Sequence, residues 1–346
     1  MKRSFMFICA AALLLTGCGA SADEASAQLF AMDTVMQLDA YGHQVKQAVS
    51  DAEETIQALE ARLSRTREDS LVSVLNQNGA AQDLSAEEQA LLSEALTFRD
   101  ATGGAFDITI APVMDAWGFT GDSYRVPAQD ELDALLENVN SDEIRLSGNS
   151  VTLGAGQAID LGGIAKGYTS DCVEAVFREN KIESGKISLG GNVFVLGGKP
   201  DGADWRVGIR DPQDENALAA VLTLRDAYAI TSGGYERYFT ENGNTYHHII
   251  DPSTGYPADS GLLSVTVVAE ANGPDFSGPG NGTMCDAFST ALFVMGEERA
   301  LEFWRTGGYD FDLVLVTADG RVIITDGLSD RFEAVKDSGY TYETVS

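Results

Sequence analysis

The sequence predicts an α+β (mixed α/β) fold, and three observations carry that expectation. Helical and strand patterns alternate irregularly, without the strict βαβ rhythm of a doubly wound sheet. The 346-residue chain is 44% hydrophobic, enough to fill the core of one large domain or two intimately packed ones. Neither the Walker A spacing nor a Rossmann fingerprint is present.

Taken in order, a short strand is expected around Met36, Leu38 and Ala40, where apolar residues alternate. Val45, Ala48, Val49, Ala52, Ile56, Leu59 and Leu63 then follow helical spacing. Ser85 and Glu88 form a capping-box pattern before a helix through Leu91, Leu92, Ala95, Leu96 and Phe98, ended by Gly103 and Gly104. A further helix is expected from Gly163 to about Glu179. Strands follow at 186–189, 193–196, 205–209, 219–224 and 262–269, a helix near 286–295, and late strands at 313–317 and 322–325. The Pro/Gly-rich stretch from Asn272 to Thr283 reads as a surface loop.

The N-terminus sets the expected compartment. Lys2 and Arg3 precede an apolar run from Phe5 to Leu15, then Thr16, Gly17 and Cys18. That is the pattern of a signal peptide, and the run is short of the ~20 residues a spanning helix needs. Leu-Thr-Gly-Cys resembles the lipobox of bacterial lipoproteins, which makes residues 1–17 the signal, Cys18 the lipidated residue and 18–28 a flexible tether. The folded domain is then expected over 29–346, on the outer face of the cytoplasmic membrane. Only Cys172 and Cys285 remain for the folded body, too few and too far apart for a disulfide scaffold.

Net charge is −30, from 23 basic and 53 acidic residues. A surface this acidic excludes nucleic acid as a partner, because such binding neutralises phosphates with Lys and Arg patches. Any polyphosphate ligand must instead find a bound metal, a directed Lys or a helix N-terminus.

Four clusters offer such chemistry. Asp160-Leu-Gly-Gly-Ile-Ala-Lys-Gly-Tyr168 places glycines before a helix and Lys166 one turn in, where backbone amides and an ammonium suit a phosphate. Taken alone it is also a plain tight turn. Asp286, Ser289 and Thr290 share one helix face and present hard oxygens suited to Mg²⁺, although the same spacing makes an ordinary helix cap. Tyr246-His247-His248-Ile249-Ile250-Asp251-Pro252 sets adjacent imidazoles on opposite strand faces, so that one can serve as base while the other packs. Finally, Thr231-Ser-Gly-Gly-Tyr235 reads as a hydroxyl-rich turn, and Gly103-Gly-Ala-Phe-Asp-Ile-Thr109 sets an aromatic and an acid beside glycines.

In this order the clusters resemble the ApbE family of FAD:protein FMN transferases. Further matching pieces are Met32-Asp-Thr34, Leu63-Ser-Arg65, Trp117-Gly-Phe119, Gly190-Gly-Asn192 and Trp205-Arg-Val-Gly-Ile209. The resemblance implies an ApbE-like fold and FAD contacts at Met32, Thr66, Ala105, Phe106, Asp107, Asp160, Lys166 and Ile250. It implies a magnesium site at the carbonyl of Gly163 with Asp286, Ser289 and Thr290, which favours the metal over the cap. His248 becomes the candidate base, with Asp286 the second catalytic residue. Relatives often carry an aromatic where Thr66 stands, and a small residue where Cys285 stands.

The expected reaction is transfer of FMN from FAD to a Ser or Thr hydroxyl of an extracytoplasmic FMN-binding domain, with AMP leaving. Mg²⁺ is the expected cofactor, and lipid on Cys18 the expected tie to the membrane. Two alternatives use the same residues differently: a hydrolase giving FMN and AMP, and a lipoprotein that only carries flavin.

Overall fold

The computed structural model describes residues 23–121, 123–273 and 276–346. Cys18 and the signal-like segment lie outside them. Among the described residues no helix is long and apolar enough to cross a membrane.

A nine-stranded sheet organises the molecule, and its spatial order repeats chain order: Asp23–Ala31, Thr34–Gly42, Ser184–Leu189, Asn192–Leu196, Ala227–Gly233, Leu262–Glu270, Asp312–Thr317, Arg321–Thr325 and Thr341–Val345. Every pairing is antiparallel except the last. That is the α+β arrangement expected from the irregular alternation. The central strands are apolar on both faces because both are covered. Val265, Val267, Leu313 and Leu315 enter the main core beneath helices Val45–Leu63, Ala165–Glu179 and Asn281–Met295. Val268, Val314 and Val316 face a second core, closed by a three-stranded sheet that includes Trp205–Asp211 and Asp214–Leu224.

Local signals held where the sequence carried them. The spacing from Val45 yields helix Val45–Leu63, and Ser85 and Glu88 exchange both capping-box bonds, 3.2 and 2.9 Å long.

Three expectations are corrected. The tether stops short: Asp23–Ala31 is an edge strand paired along its whole length with Thr34–Gly42, burying alternate residues Ala25, Ala27 and Leu29 against the core. The segment Thr231–Gly233 is the end of a strand rather than a turn. The late helix begins at Asn281, five residues before Asp286, and the end of the expected surface loop is drawn inward. Its cause is Asp171, whose carboxylate accepts from the amides of Gly280 (2.9 Å), Gly282 (2.8 Å) and Thr283 (2.8 Å). Thr283 Oγ1 (2.5 Å) and Asn272 Nδ2 (2.8 Å) complete the set. A carboxylate from a neighbouring helix thus satisfies amides that a helix start leaves without partners. Asp286 is therefore not a cap.

Candidate active site

A cavity of about 350 Å³ opens between helices Ala165–Glu179 and Asn281–Met295 and the turn that joins the first two strands. Its wall includes every residue expected to touch FAD: Met32, Thr66, Ala105, Phe106, Asp107, Asp160, Lys166 and Ile250. Gly163, His248, Asp286 and Thr290 join them, although 36 residues or more separate the pair Asp286 and Thr290 from all the rest. Tertiary packing gathers what the sequence spreads out.

The floor is where helices Ala165–Glu179 and Asn281–Met295 cross. Asp286 is 2% exposed, and its Oδ2 accepts from the Gly167 amide at 2.8 Å. Its Oδ1 accepts from Asn192 Nδ2 at 3.0 Å, and Lys166 Nζ stands 3.9 Å away. Gly167 makes the crossing possible, because a Cβ there would collide with the Gly282 carbonyl and the Asp286 side chain. Gly190 has φ +59° and lets the turn before Asn192 lie against Thr34. The glycine motif is therefore not a free phosphate cradle. The Gly162 amide is taken by Asp160 Oδ1 at 2.6 Å and the Gly167 amide by Asp286. Positive charge comes from Lys166, whose Nζ also donates to the Gly162 carbonyl at 3.3 Å.

The oxygens suit a magnesium ion. Among the described residues no three His, Cys, Asp or Glu side chains gather into a metal cage. The site offers one carboxylate and neutral oxygens, which is what Mg²⁺ accepts when substrate phosphates and water supply the rest. Thr290 adjoins Gly163, where an added Cβ would sit 3.4 Å from Thr290 Oγ1. Asn192 Oδ1 is buried beside Asp286 with no hydrogen-bond partner, a further hard oxygen at the same place. Ser289 is set behind the wall: it is fully buried, donates to the Asp286 carbonyl at 2.9 Å, and meets Ser232 Oγ at 2.7 Å. Ser232 in turn reaches Thr290 Oγ1 at 3.2 Å.

The two imidazoles divide their tasks. His247 Nε2 meets the Ala258 carbonyl at 3.1 Å and its Nδ1 accepts from the Ile249 amide at 3.3 Å, so both nitrogens are spent on packing. His248 faces the cavity, and its Nδ1 lies 3.2 Å from the Arg237 carbonyl. A carbonyl only accepts, so Nδ1 carries the proton and Nε2 keeps a free lone pair. Burial, then the charges of Arg237 and Lys166, lower the His248 pKa to about 3. The imidazole is therefore neutral.

Asp107 lines the cavity, but its carboxylate is already engaged. Its Oδ1 accepts from Thr109 N (2.8 Å), Thr109 Oγ1 (2.6 Å) and Ser141 Oγ (2.5 Å), so the carboxylate caps a 3₁₀ turn. Asp160 Oδ2 is held by Arg65 Nη1 at 2.9 Å, and Arg65 also reaches Asp115 (2.9 Å) and Thr120 (2.8 Å). Thr66 is exposed at the mouth. Cys285 is fully buried and its thiol pKa is pushed well above the ordinary value by burial, which removes thiolate reactivity beside Asp286.

Sequence reasoning passed over Arg65, Arg237, Asn192 and Asp171 as site residues. Arg65 and Asn192 stood inside matching motifs and were legible there. Arg237 and Asp171 carried no local signal.

The comparisons identify the family and the fold. The ApbE family model matches residues 32–312. The chain is 32% identical to the FAD:protein FMN transferase of Treponema pallidum, over 83% of this chain and 82% of that one. It is 28% identical to the FAD:protein FMN transferase of Vibrio cholerae, over 92% and 95%. The crystal structure of the ApbE protein from Thermotoga maritima superposes with a TM-score of 0.78 at 29% identity, covering 91% of this chain and 97% of that one. With the family model spanning residues 32–312 and a relative 32% identical over most of both chains, this protein belongs to the ApbE family.

Proposed function

We propose that the protein transfers FMN from FAD to a Ser or Thr hydroxyl of an acceptor protein carrying an FMN-binding domain, releasing AMP, with Mg²⁺ bound at Asp286. The observation that carries the reading is the convergence, in one cavity, of a neutral His248 with a free Nε2 and of the Asp286–Lys166 floor. The names of the curated relatives support it.

In this reading the acceptor hydroxyl gives its proton to His248 Nε2 as its oxygen attacks the FMN-side phosphorus. The phosphoanhydride bond breaks and AMP leaves with the bonding pair. Positioning and charge neutralisation account for most phosphoryl-transfer catalysis, and Lys166 supplies a fixed cation for it. Asp286, Thr290 and the Gly163 carbonyl would hold Mg²⁺, with Asn192 beside them. When bound, the ion neutralises charge on the phosphate oxygens. The Arg237 carbonyl keeps Nε2 unprotonated before the attack.

Mass spectrometry of an FMN-binding domain incubated with the protein, FAD and Mg²⁺ tests this. A mass gain of one FMN phosphodiester, lost on chelation, is expected. FMN and AMP in solution without that gain would replace the transferase with a hydrolase. Neither product would leave a flavin carrier.

The lipid anchor belongs to the same reading, because an acceptor outside the cytoplasm requires an exported enzyme. A Cys18→Ser variant is expected to move from the membrane fraction to the soluble one, and a variant that stays with the membrane would refute it.

A further inference from the structure

The first two strands meet at Met32 and Asp33, both with positive φ (50° and 59°), as a tight two-residue hairpin turn requires. Strand periodicity sends Ala25, Ala27 and Leu29 to the core and Phe30 outward. Phe30 is 70% exposed and sits opposite Val35, which is 53% exposed. On a separate segment, Tyr238 is 54% exposed and directly follows Arg237. Arg237 Nη2 lies 3.5 Å from Asp33 Oδ2, so an ion pair joins the two segments. Met32, Asp33, Thr34 and Arg237 all line the cavity. Phe30 and Val35 therefore stand uncovered beside the cavity-lining turn, and Tyr238 beside the cavity-lining Arg237, with Asp33 and Arg237 paired between the two segments. Exposed apolar clusters at a functional mouth mark contact surfaces.

We infer that Phe30, Val35 and Tyr238 form the docking surface for the acceptor protein, which meets them with apolar residues flanking its reactive hydroxyl. The inference rests on the transferase reading. A hydroxyl carried by a folded protein reaches phosphorus in this cavity only if the chain around it lies across the mouth. The Met32–Thr34 turn is both cavity wall and hairpin tip, so contact with the reacting atoms is continuous with contact on Phe30 and Val35. Small soluble substrates need no such surface.

The test compares full-length protein in detergent with its Phe30→Thr/Val35→Thr variant. Threonine keeps a strand-favouring side chain on an exposed face, and neither position touches Asp286, Lys166 or His248. Initial rates of FMN transfer are measured against FMN-binding-domain concentration and, separately, against FAD. The expected result is an acceptor KM raised about tenfold or more, in the range of a lost interface anchor, with the KM for FAD unchanged. Tyr238→Thr is expected to act in the same direction, and a short Ser-containing peptide acceptor to show no difference. An unchanged acceptor KM would overturn the docking surface while leaving the transferase intact. A variant that transfers normally yet no longer cosediments with phosphatidylglycerol vesicles would overturn it in favour of a lipid contact. Wild-type protein that releases only FMN and AMP would overturn the transferase reading, and the docking surface with it.

Discussion

The floor and the rim of the cavity are built on opposite principles. The floor is two helices whose polar groups are buried and satisfied by each other: Asp171 caps the Asn281–Met295 helix, Gly167 donates to Asp286, and Asn192 steadies the same carboxylate. The rim is a pair of hairpins that end in solvent, with Phe30, Val35 and Tyr238 uncovered. Buried, hydrogen-bonded charge is costly to disturb because each orphaned group forfeits its desolvation. An exposed side chain on a strand costs little to change. The contrast teaches that the floor holds the chemistry in place while the rim is free to be chosen for a partner.

The largest break in that contrast is Asp286→Ala. It removes the floor's carboxylate, and FMN transfer is expected to fall below detection by mass spectrometry while the protein stays folded. Transfer that survived would dismiss the metal role of this residue. His248→Asn comes next. Loss of a general base lowers such rates about 10²- to 10⁴-fold, and single-turnover kinetics at saturating FAD would read it. A rate within twofold of wild type would assign deprotonation to another group.

Asp171→Ala probes the floor by stability rather than rate. It removes the shared acceptor of five donors at a buried helix start, and urea unfolding should show a loss of about 3 kcal/mol. Phe30→Thr at the rim should change the same measurement by less than about 0.5 kcal/mol. Equal losses would erase the distinction between the two regions.

Smaller effects are expected at the mouth and from pH. Thr66→Tyr adds a ring where an exposed hydroxyl stands, and FAD affinity measured by flavin fluorescence should tighten a few-fold, since one aromatic pair contributes roughly 1 kcal/mol. His248 gives the pH effect. Burial holds its folded pKa at about 3 against an ordinary 6.5. Between those values the unfolded chain binds the extra proton, so its contribution to stability is present above the unfolded pKa and lost as pH falls toward the folded one. Melting temperature should therefore drop more steeply on acidification in wild type than in His248→Asn. Parallel curves would mean that this imidazole titrates normally.

Much of the fold was legible because its signals are local. Helical spacing from Val45 to Leu63 and the Ser85–Glu88 exchange depend on residues a turn apart. The site was legible as ordered motifs, and the residues in them do line one cavity. The tether was misread because Asp23–Ala31 is a strand only through its partner Thr34–Gly42. Alternating small residues at its start carry too little hydrophobicity to announce it.

By itself, the sequence singled out the candidate residues: the run through Lys166, the pair His247 and His248, and the face of Asp286, Ser289 and Thr290. Tertiary structure alone decided what each does. It placed Asp171, 109 to 112 residues away in sequence, on the helix start at Gly280–Thr283, and so pushed Asp286 from the cap into the helix interior. Carbonyls on different loops bound the two imidazoles, leaving His248 as the one with a free nitrogen. The start of one helix was joined to the second turn of the other through Gly167 and Asp286, in place of leaving the Gly167 amide open to phosphate. Hydrogen-bond partners and burial are properties of three-dimensional neighbours, and residue spacing encodes only those neighbours that lie within a turn or across a hairpin.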